Sequence, residues 1–203
     1  MDITRLTRQS HRQARPGLKL LGRFELAGGR VHEFCGGARR RLALWAAKEL
    51  SGPVLWIRPG WATDRLHMAG VAAEIDPGRL LFAEPKRAED LLWSLEEALR
   101  SGAIALAVAE CPEPPDLTPV RRLHLAAETG AEKAGRAPLG LLLTPGVGGA
   151  RGVESRWRLE QAHRPGKSEW QLDRLRARTA PEAQWPVMWQ NGRATLAPQP
   201  EPA

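Results

Sequence analysis

The sequence predicts an α/β protein: a mostly parallel, twisted sheet flanked by helices, with an antiparallel β extension at its C-terminal end. Three observations predict this class. Short apolar runs alternate with amphipathic segments through the first 150 residues, as in strand–helix crossovers. A strand, a glycine turn and a helix follow one another near the start of that region. After residue 153, apolar and charged residues alternate with period two, which is typical of half-exposed antiparallel strands.

The first core elements lie between residues 28 and 50. The pattern predicts a strand over 30–35, a turn at Gly36 and Gly37, and an amphipathic helix over 38–50. Nucleotide-binding proteins use such a turn to bring backbone N–H groups to a phosphate, but a P-loop reads G-x-x-x-x-G-K-[ST]. Here the glycines and one alanine are followed at once by three arginines: Arg39, Arg40 and Arg41. We interpret the turn as a degenerate phosphate loop.

Further apolar runs and amphipathic stretches complete the predicted architecture. We expect buried strands over 54–57, 79–83, 104–109 and 139–143. We expect helices over 64–69, 88–100 and 120–129. An antiparallel hairpin over 153–160 and 170–178, and an edge strand over 185–190, should follow. The predicted units are an N-terminal basic arm (1–27), the core (28–150), a C-terminal β-segment (151–196) and a disordered tail (197–203).

Composition limits the classes of function. With 203 residues, of which 42% are hydrophobic, the chain can bury the core of one α/β domain. The net charge of +7 permits a polyanionic partner, although an arginine-, alanine-, glycine- and proline-rich chain also reflects a GC-rich coding sequence. No apolar run approaches the ~20 residues of a membrane span, and no secretory signal begins the chain. Cys35 and Cys111 should be buried thiols, so we expect a cytoplasmic protein without metal or cofactor.

Three stretches resemble the ATPase core of RecA recombinases. The strand, turn and helix around the recombinase P-loop are matched by GRVHEFCG…LAL. The next crossover and the Walker B strand are matched by DPGRLLFAEPKRAEDLLWSLEEALRSGAIALAVAE. The segment that leaves the second DNA-binding loop resembles GGARGVESRWRL. The resemblance covers roughly residues 28–159 and implies a RecA-like sheet.

The same resemblance implies that the ATPase residues are lost. The phosphate-binding lysine and the hydroxyl that holds Mg²⁺ have no counterpart in the turn. The catalytic glutamate falls at Gly60, the Walker B aspartate at Glu110 and the phosphate-sensing glutamine at Thr144, while the second DNA-binding loop shrinks to 145–152. Because phosphoryl transfer needs these groups and the metal together, we predict that the protein is not an enzyme.

A RecA-like core without its ATPase resembles the ImuA family of SOS-induced accessory proteins. The matching segments are GPVLWIRP, DPGRLLF, DLLWSLEEALRSGA, LTPVRRLHLAAE and LGLLLTPG. The resemblance implies a non-catalytic adaptor, monomeric or in a hetero-complex, in damage-induced mutagenic translesion synthesis. The implied partners are an inactive Y-family polymerase homologue of the ImuB type and, through it, an error-prone C-family DNA polymerase; RecA and DNA are further candidates. Two alternatives remain open: a SulA-like inhibitor of cell division and a non-enzymatic DNA-binding module.

Basic and aromatic side chains are candidate contacts for a partner or DNA. They are Arg121, Arg122, Arg151, Trp170, Arg174, Arg176, Trp185 and Trp189. For Trp185 and Trp189, a small satellite core is an equally good interpretation. Trp56 and Trp93 are expected to pack in the core, and Trp61 to fill the vacated nucleotide space. The arginine triplet either receives a phosphate or forms a solvated basic turn.

Overall fold

The structure is a computed structural model that describes residues 15–198. The strands in this part of the chain are β1 (Arg15–Leu20), β2 (Phe24–Gly28), β3 (Val31–Cys35), β4 (Val54–Ile57), β5 (Leu80–Ala83), β6 (Leu106–Glu110), β7 (Leu139–Leu143), β8 (Ser155–Gln161), β9 (Glu169–Ala177), β10 (Ala183–Gln190) and β11 (Arg193–Leu196). The helices are α1 (Arg39–Lys48), α2 (Met68–Ala72), α3 (Ala88–Ser101) and α4 (Leu117–Ala134), with a short 3₁₀ turn at Pro77–Arg79. None of these helices is both long enough and apolar enough to cross a membrane.

Nine strands form a mixed sheet in the order β11-β10-β9-β8-β3-β7-β6-β4-β5. The pairs from β8 to β5 along this order are parallel, whereas β8–β9, β9–β10 and β10–β11 are antiparallel. The predicted α/β class with a mostly parallel sheet is therefore confirmed. The last four strands are not a separate segment, because β8 pairs directly with β3 and continues the core sheet.

Two helical layers cover the central strands. Alternate residues of a strand point to opposite faces of the sheet, and here each face has its own apolar cluster. Phe34 packs in the cluster that includes α1, α2 and the β1–β2 hairpin. Val31, three residues earlier, packs in the cluster formed with α3 and α4. Strands that are buried on both faces explain the continuous apolar runs in the sequence.

The β1–β2 hairpin is an element that the sequence analysis did not predict. It covers the face of the C-terminal strands that carries Trp157 and Trp185. The ring of Phe24 lies 5.1 Å from that of Trp157 and 4.4 Å from that of Trp185, measured between centroids. The N-terminal and C-terminal ends of the described chain therefore share one core. Residues 1–14 of the predicted arm and 199–203 of the predicted tail lie outside the described residues.

Several element boundaries differ from the prediction. The edge strand of the C-terminal side is β11, so 185–190 belongs to an internal strand. Helix α2 begins at Met68 because the buried Arg58 binds the carbonyls of Ala62 and Asp64 and holds that segment extended. Helix α4 continues through Gly130, where a Cβ would lie only 1.9 Å from the carbonyl oxygen of Leu99. That glycine serves close helix packing and does not end the helix.

A buried histidine joins β3 to two neighbouring elements. Nδ1 of His32 lies 2.7 Å from the Ser155 hydroxyl oxygen, and Nε2 lies 3.1 Å from the carbonyl oxygen of Ala27. Because a carbonyl only accepts, Nε2 carries the proton and Nδ1 accepts from Ser155. Burial lowers the pKa of His32 to about 4 and also lowers the pKa of His124. Both side chains are therefore neutral in the folded protein at neutral pH.

We predict that the free energy of unfolding decreases as pH falls from about 6.5 to about 4. In that window the unfolded chain binds a proton at His32 that the folded chain excludes; above it, this contribution is constant. The loss from His32 alone is up to roughly 3 kcal/mol. Urea unfolding at several pH values measures it.

The variant His32→Gln should have a smaller pH slope, and His67→Gln, at an exposed position, should keep the wild-type slope. An unchanged slope in His32→Gln would contradict the assignment.

Candidate functional site

The glycine turn between β3 and α1 is occupied by the chain itself. The N–H of Gly36 donates to the carbonyl of Gly146 at 2.9 Å. The N–H of Gly37 donates to the Glu160 carboxylate at 3.0 Å, and that of Ala38 to the carbonyl of Leu159 at 3.0 Å. Each N–H group that a phosphate would need already has a protein acceptor.

Strand β8 lies directly against this turn. Gly36 has a φ of +89°, which favours glycine. A Cβ at Gly36 would lie 2.5 Å from the carbonyl oxygen of Leu159 and 2.9 Å from the Glu160 carboxylate. The carboxylate of Glu160 therefore stands where an anionic ligand of the turn would bind. The predicted degenerate loop, Gly36 and Gly37, is closed by contact with β8.

Arg40 forms a bidentate ion pair with Glu110, the residue at the Walker B position. Its Nε and Nη2 donate to the two carboxylate oxygens at 3.0 and 2.6 Å. The indole N–H of Trp56, a buried residue as expected, donates to the same carboxylate at 2.7 Å. A guanidinium thus neutralises the carboxylate that a metal would meet in an ATPase.

The two other arginines of the triplet are also held by the protein. Arg39 donates to the carbonyl of Gly36 at 3.1 Å. Arg41 donates to the buried Glu74 at 3.3 and 3.1 Å, and its guanidinium lies 5.0 Å from the ring centroid of Trp170. The three arginines are therefore partly exposed side chains that also bind acceptors within the chain.

Glu33 is an important residue that the sequence analysis missed. Its side chain is fully buried in β3. It accepts hydrogen bonds from the Thr144 hydroxyl at 2.6 Å and from the N–H groups of Gly149 and Ala150 at 2.8 and 3.0 Å. The guanidinium of Arg156 in β8 completes the set. A single glutamate in the buried strand VHEFC was the signal that could have identified it.

Gly60, where the resemblance places the catalytic glutamate, lies in a loop after β4 that internal hydrogen bonds hold in place. The N–H of Gly60 donates to the carbonyl of Pro85 at 2.8 Å, and a Cβ at Gly60 would lie 3.0 Å from that oxygen. Arg58, at 2% exposure, holds the loop through Glu84 at 2.7 Å. Trp61 is 52% exposed, so the expectation that it fills a vacated nucleotide space is wrong.

The tryptophans are distributed differently from the prediction. Trp170 and Trp185 are only 2% and 7% exposed. Trp185 packs beneath the β1–β2 hairpin against Phe24, whereas Trp170 packs edge-on against Trp45 of α1, with 5.3 Å between the ring centroids. They are therefore not contact residues on the surface. Trp189 is half-buried against the same core. Trp93, which was expected in the core, is 58% exposed because the buried face of α3 is formed by other residues: Leu91, Leu95, Ala98 and Leu99.

The candidate basic residues do not form one group. Arg122 pairs with Glu96 at 2.7 Å, and the guanidinium of Arg174 lies over the rings of Trp157 and Trp185. Three candidates have exposed side chains without an ion pair inside residues 15–198: Arg121, Arg151 and Arg176.

No group of three or more metal-ligating side chains occurs within the described part of the chain. Burial raises the pKa of Cys35 and of Cys111 to about 12, so both thiols stay protonated at neutral pH. A comparison with protein-family models gives no match, and a comparison with curated proteins gives none either. Conclusions about function therefore depend on the geometry described above and on the resemblance in the sequence.

We predict that Arg40 and Glu110 act as a stabilising pair. Arg40→Ala and Glu110→Ala should each lower the free energy of unfolding by about 2 kcal/mol, because each leaves a partly buried charge without its partner. The double variant should lose about 1–2 kcal/mol less than the sum of the two losses. Urea denaturation of the four proteins measures this coupling.

The exposed pair Arg87 and Asp90 provides a matched control in which no measurable coupling is expected. Additive losses for Arg40 and Glu110 would contradict the proposed pairing.

Proposed function

We propose that the protein is a non-catalytic, RecA-like, cytoplasmic adaptor in SOS-induced, error-prone translesion DNA synthesis. One observation carries the non-catalytic part: the phosphate position of the glycine turn is filled by Glu160 and Leu159 of β8. The pairing of Arg40 with Glu110 supports it, because the charge at the Walker B position is already neutralised. In this proposal the fold provides surfaces for contacts with partners, and it neither binds nor converts a ligand.

The order of the strands supports the RecA-like part of the proposal. The strand that carries the glycine turn, β3, and the strand that ends at Glu110, β6, lie in one parallel sheet with β7 between them, as a RecA-like sheet implies. Strands β8 to β11 continue the sheet beyond β3. Fold alone does not define a function, so the adaptor role is inferred from the resemblance to the ImuA family.

Exposed aromatic residues support a contact with a protein partner. Trp61 and Trp93 are 52% and 58% exposed, and large aromatic side chains are frequent hot spots in interfaces. Trp61 is held on a loop that Arg58 makes rigid, so little conformational entropy is lost when a partner covers it. We assign these two residues to the contact with the inactive Y-family polymerase homologue.

A DNA-binding module is the second candidate function. The exposed Arg121, Arg151 and Arg176, together with the net charge of +7, favour it. Phosphate contacts of this kind would make affinity fall steeply as salt concentration rises.

We predict that the protein neither hydrolyses ATP nor binds it. A fluorescent ATP analogue with Mg²⁺ should show no saturable binding, because a phosphate would have to displace the internal acceptors at Gly36, Gly37 and Ala38. A RecA recombinase serves as the positive control. Hydrolysis of ATP by the wild-type protein in stoichiometric amounts would contradict the proposal if the Glu110→Gln variant loses this activity.

We predict that the tagged protein, recovered from DNA-damaged cells of its own host, co-purifies with an inactive Y-family polymerase homologue. Trp93→Ser should reduce that recovery at least tenfold, because truncating an interface tryptophan commonly costs 2 kcal/mol or more. Leu125→Ser is the matched control, at a position on α4 that is 63% exposed, and it should leave the recovery of the homologue unchanged.

The other outcomes of this experiment are also informative. Recovery of a tubulin-like division protein would favour the SulA-like alternative. Recovery of nucleic acid alone, lost at high salt, would favour the DNA-binding module.

A further inference from the structure

The edge strand β5 is apolar and unprotected. Its sequence is Leu80-Leu81-Phe82-Ala83, and it pairs only with β4 among the described strands. Leu81 is 49% exposed and Phe82 46%. Edge strands usually carry a charge, a proline or a bulge that prevents further pairing, and β5 has none of these.

The outer side of β5 offers free backbone groups. The carbonyl of Ala83 accepts from the N–H of Arg58, so the backbone of Ala83 faces β4. In a parallel pair, successive residues point their backbone groups to opposite sides, so those of Phe82 point away from the sheet. The parallel register with β4 therefore leaves the N–H and C=O of Phe82 directed to the open side of the edge.

We propose that β5 pairs in antiparallel fashion with β5 of a second copy of this chain, about a twofold axis at Phe82. In such a pair, Phe82 of each copy exchanges two N–H···O=C bonds with Phe82 of the other. Leu80 then lies opposite Glu84, and Leu81 opposite Ala83. The contact is self-complementary, as a twofold interface requires.

Charges on the two sides of β5 favour this antiparallel arrangement. Asp76 lies before the strand and Lys86 after it; both are exposed, and neither forms an ion pair within the described chain. Antiparallel pairing sets Asp76 of one copy near Lys86 of the other, twice about the axis, whereas parallel pairing would place like charges together.

Two further charged side chains near the edge are held inside the chain. The carboxylate of Glu84 accepts from Arg58 and Arg65 at 2.7 and 3.0 Å, so its charge is compensated. The guanidinium of Arg79 donates to carbonyl oxygens at the end of α1, including that of Leu50 at 2.6 Å. A cation at the C-terminal end of a helix is favoured by the helix dipole.

The size of the contact sets its strength. A four-residue strand and its flanks bury a few hundred Å² per copy, against about 800 Å² in a standard stable interface. The dimer is therefore weak, and its population depends on protein concentration.

Sedimentation equilibrium of the full chain from roughly 5 to 500 µM tests the proposal, since small interfaces are weak. The average mass should rise from one chain towards two. Phe82→Lys should weaken association at least tenfold, because it sets two like charges directly opposite each other at the axis. Leu125→Lys, which adds the same charge on exposed α4, should associate like the wild type.

Exchange of the flanking charges tests the orientation. Asp76→Lys and Lys86→Asp should each weaken association, and the double variant should restore it. Phe82→Cys should cross-link within the dimer on treatment with diamide, which takes up the two electrons and two protons released by the two thiols. Paired residues about 5.5 Å apart at Cα fit a disulfide. Leu125→Cys is the control and should not cross-link.

Four results would overturn the proposal. The first is a single-chain mass at every concentration. The second is a dimer that Phe82→Lys leaves intact while its circular dichroism shows a folded protein. The third is absence of the Phe82→Cys cross-link at concentrations where the wild type is dimeric. Capture of a strand from a different protein at β5, with no self-association, would also reject a second copy as the occupant.

Discussion

The carboxylate of Glu33 is the constraint on which the rest of the site depends. A buried carboxylate is costly unless several donors surround it, and here the donors come from three later segments of the chain. Thr144 follows β7, Gly149 and Ala150 belong to the loop before β8, and Arg156 lies in β8. Satisfying Glu33 therefore folds the loop over the end of β3 and places β8 beside it. From that position, Leu159 and Glu160 reach the N–H groups of the glycine turn, so the closed phosphate position is a consequence of the same arrangement.

Three arginines at and near the glycine turn form ion pairs inside the chain. Arg40 binds Glu110, Arg41 binds Glu74, and Arg58 binds Glu84. Partly buried ion pairs contribute little net stability compared with apolar residues of similar size, whereas loss of one partner is costly. Their importance is therefore geometric: each pair fixes the helix or loop that carries it and removes a charge that a ligand would need. An ATPase keeps such groups available for phosphate and metal, because it accelerates the reaction mainly by holding charged groups in position around the phosphates.

The sequence predicted most of the secondary structure elements but few of the contacts between residues that are far apart in the chain. Apolar runs identified the parallel strands, and the leucine spacing identified α3, because burial on both faces or on one helical face leaves a periodic pattern. The same patterns do not indicate which helix or hairpin packs on which strand. Trp170 was interpreted as a contact residue, and contact and core were weighed equally for Trp185. The elements that cover them, α1 with Trp45 and the hairpin with Phe24, lie much earlier in the sequence. Trp93 was misassigned because its apolar character was weighed above its place in the helical period. The sequence places Glu33 in a buried strand, but it does not indicate which groups donate hydrogen bonds to the Glu33 carboxylate.

The internal acceptors of the glycine turn also bear on how assembly of the proposed adaptor would be controlled. A ligand shifts a conformational equilibrium only through different affinities for the two states, so an adaptor that binds no nucleotide would not be controlled by nucleotide. In the proposed adaptor, association is then set by concentration and by competition between partners, through mass action. The weak contact at β5 fits this regime, because damage-induced synthesis of the protein would itself raise the dimer fraction. The loop that carries Trp61 is connected to the end of β5 through Arg58 and Glu84. If binding of the polymerase homologue at Trp61 changes the affinity of self-association at β5, linkage requires that self-association changes the affinity for the homologue by the same factor.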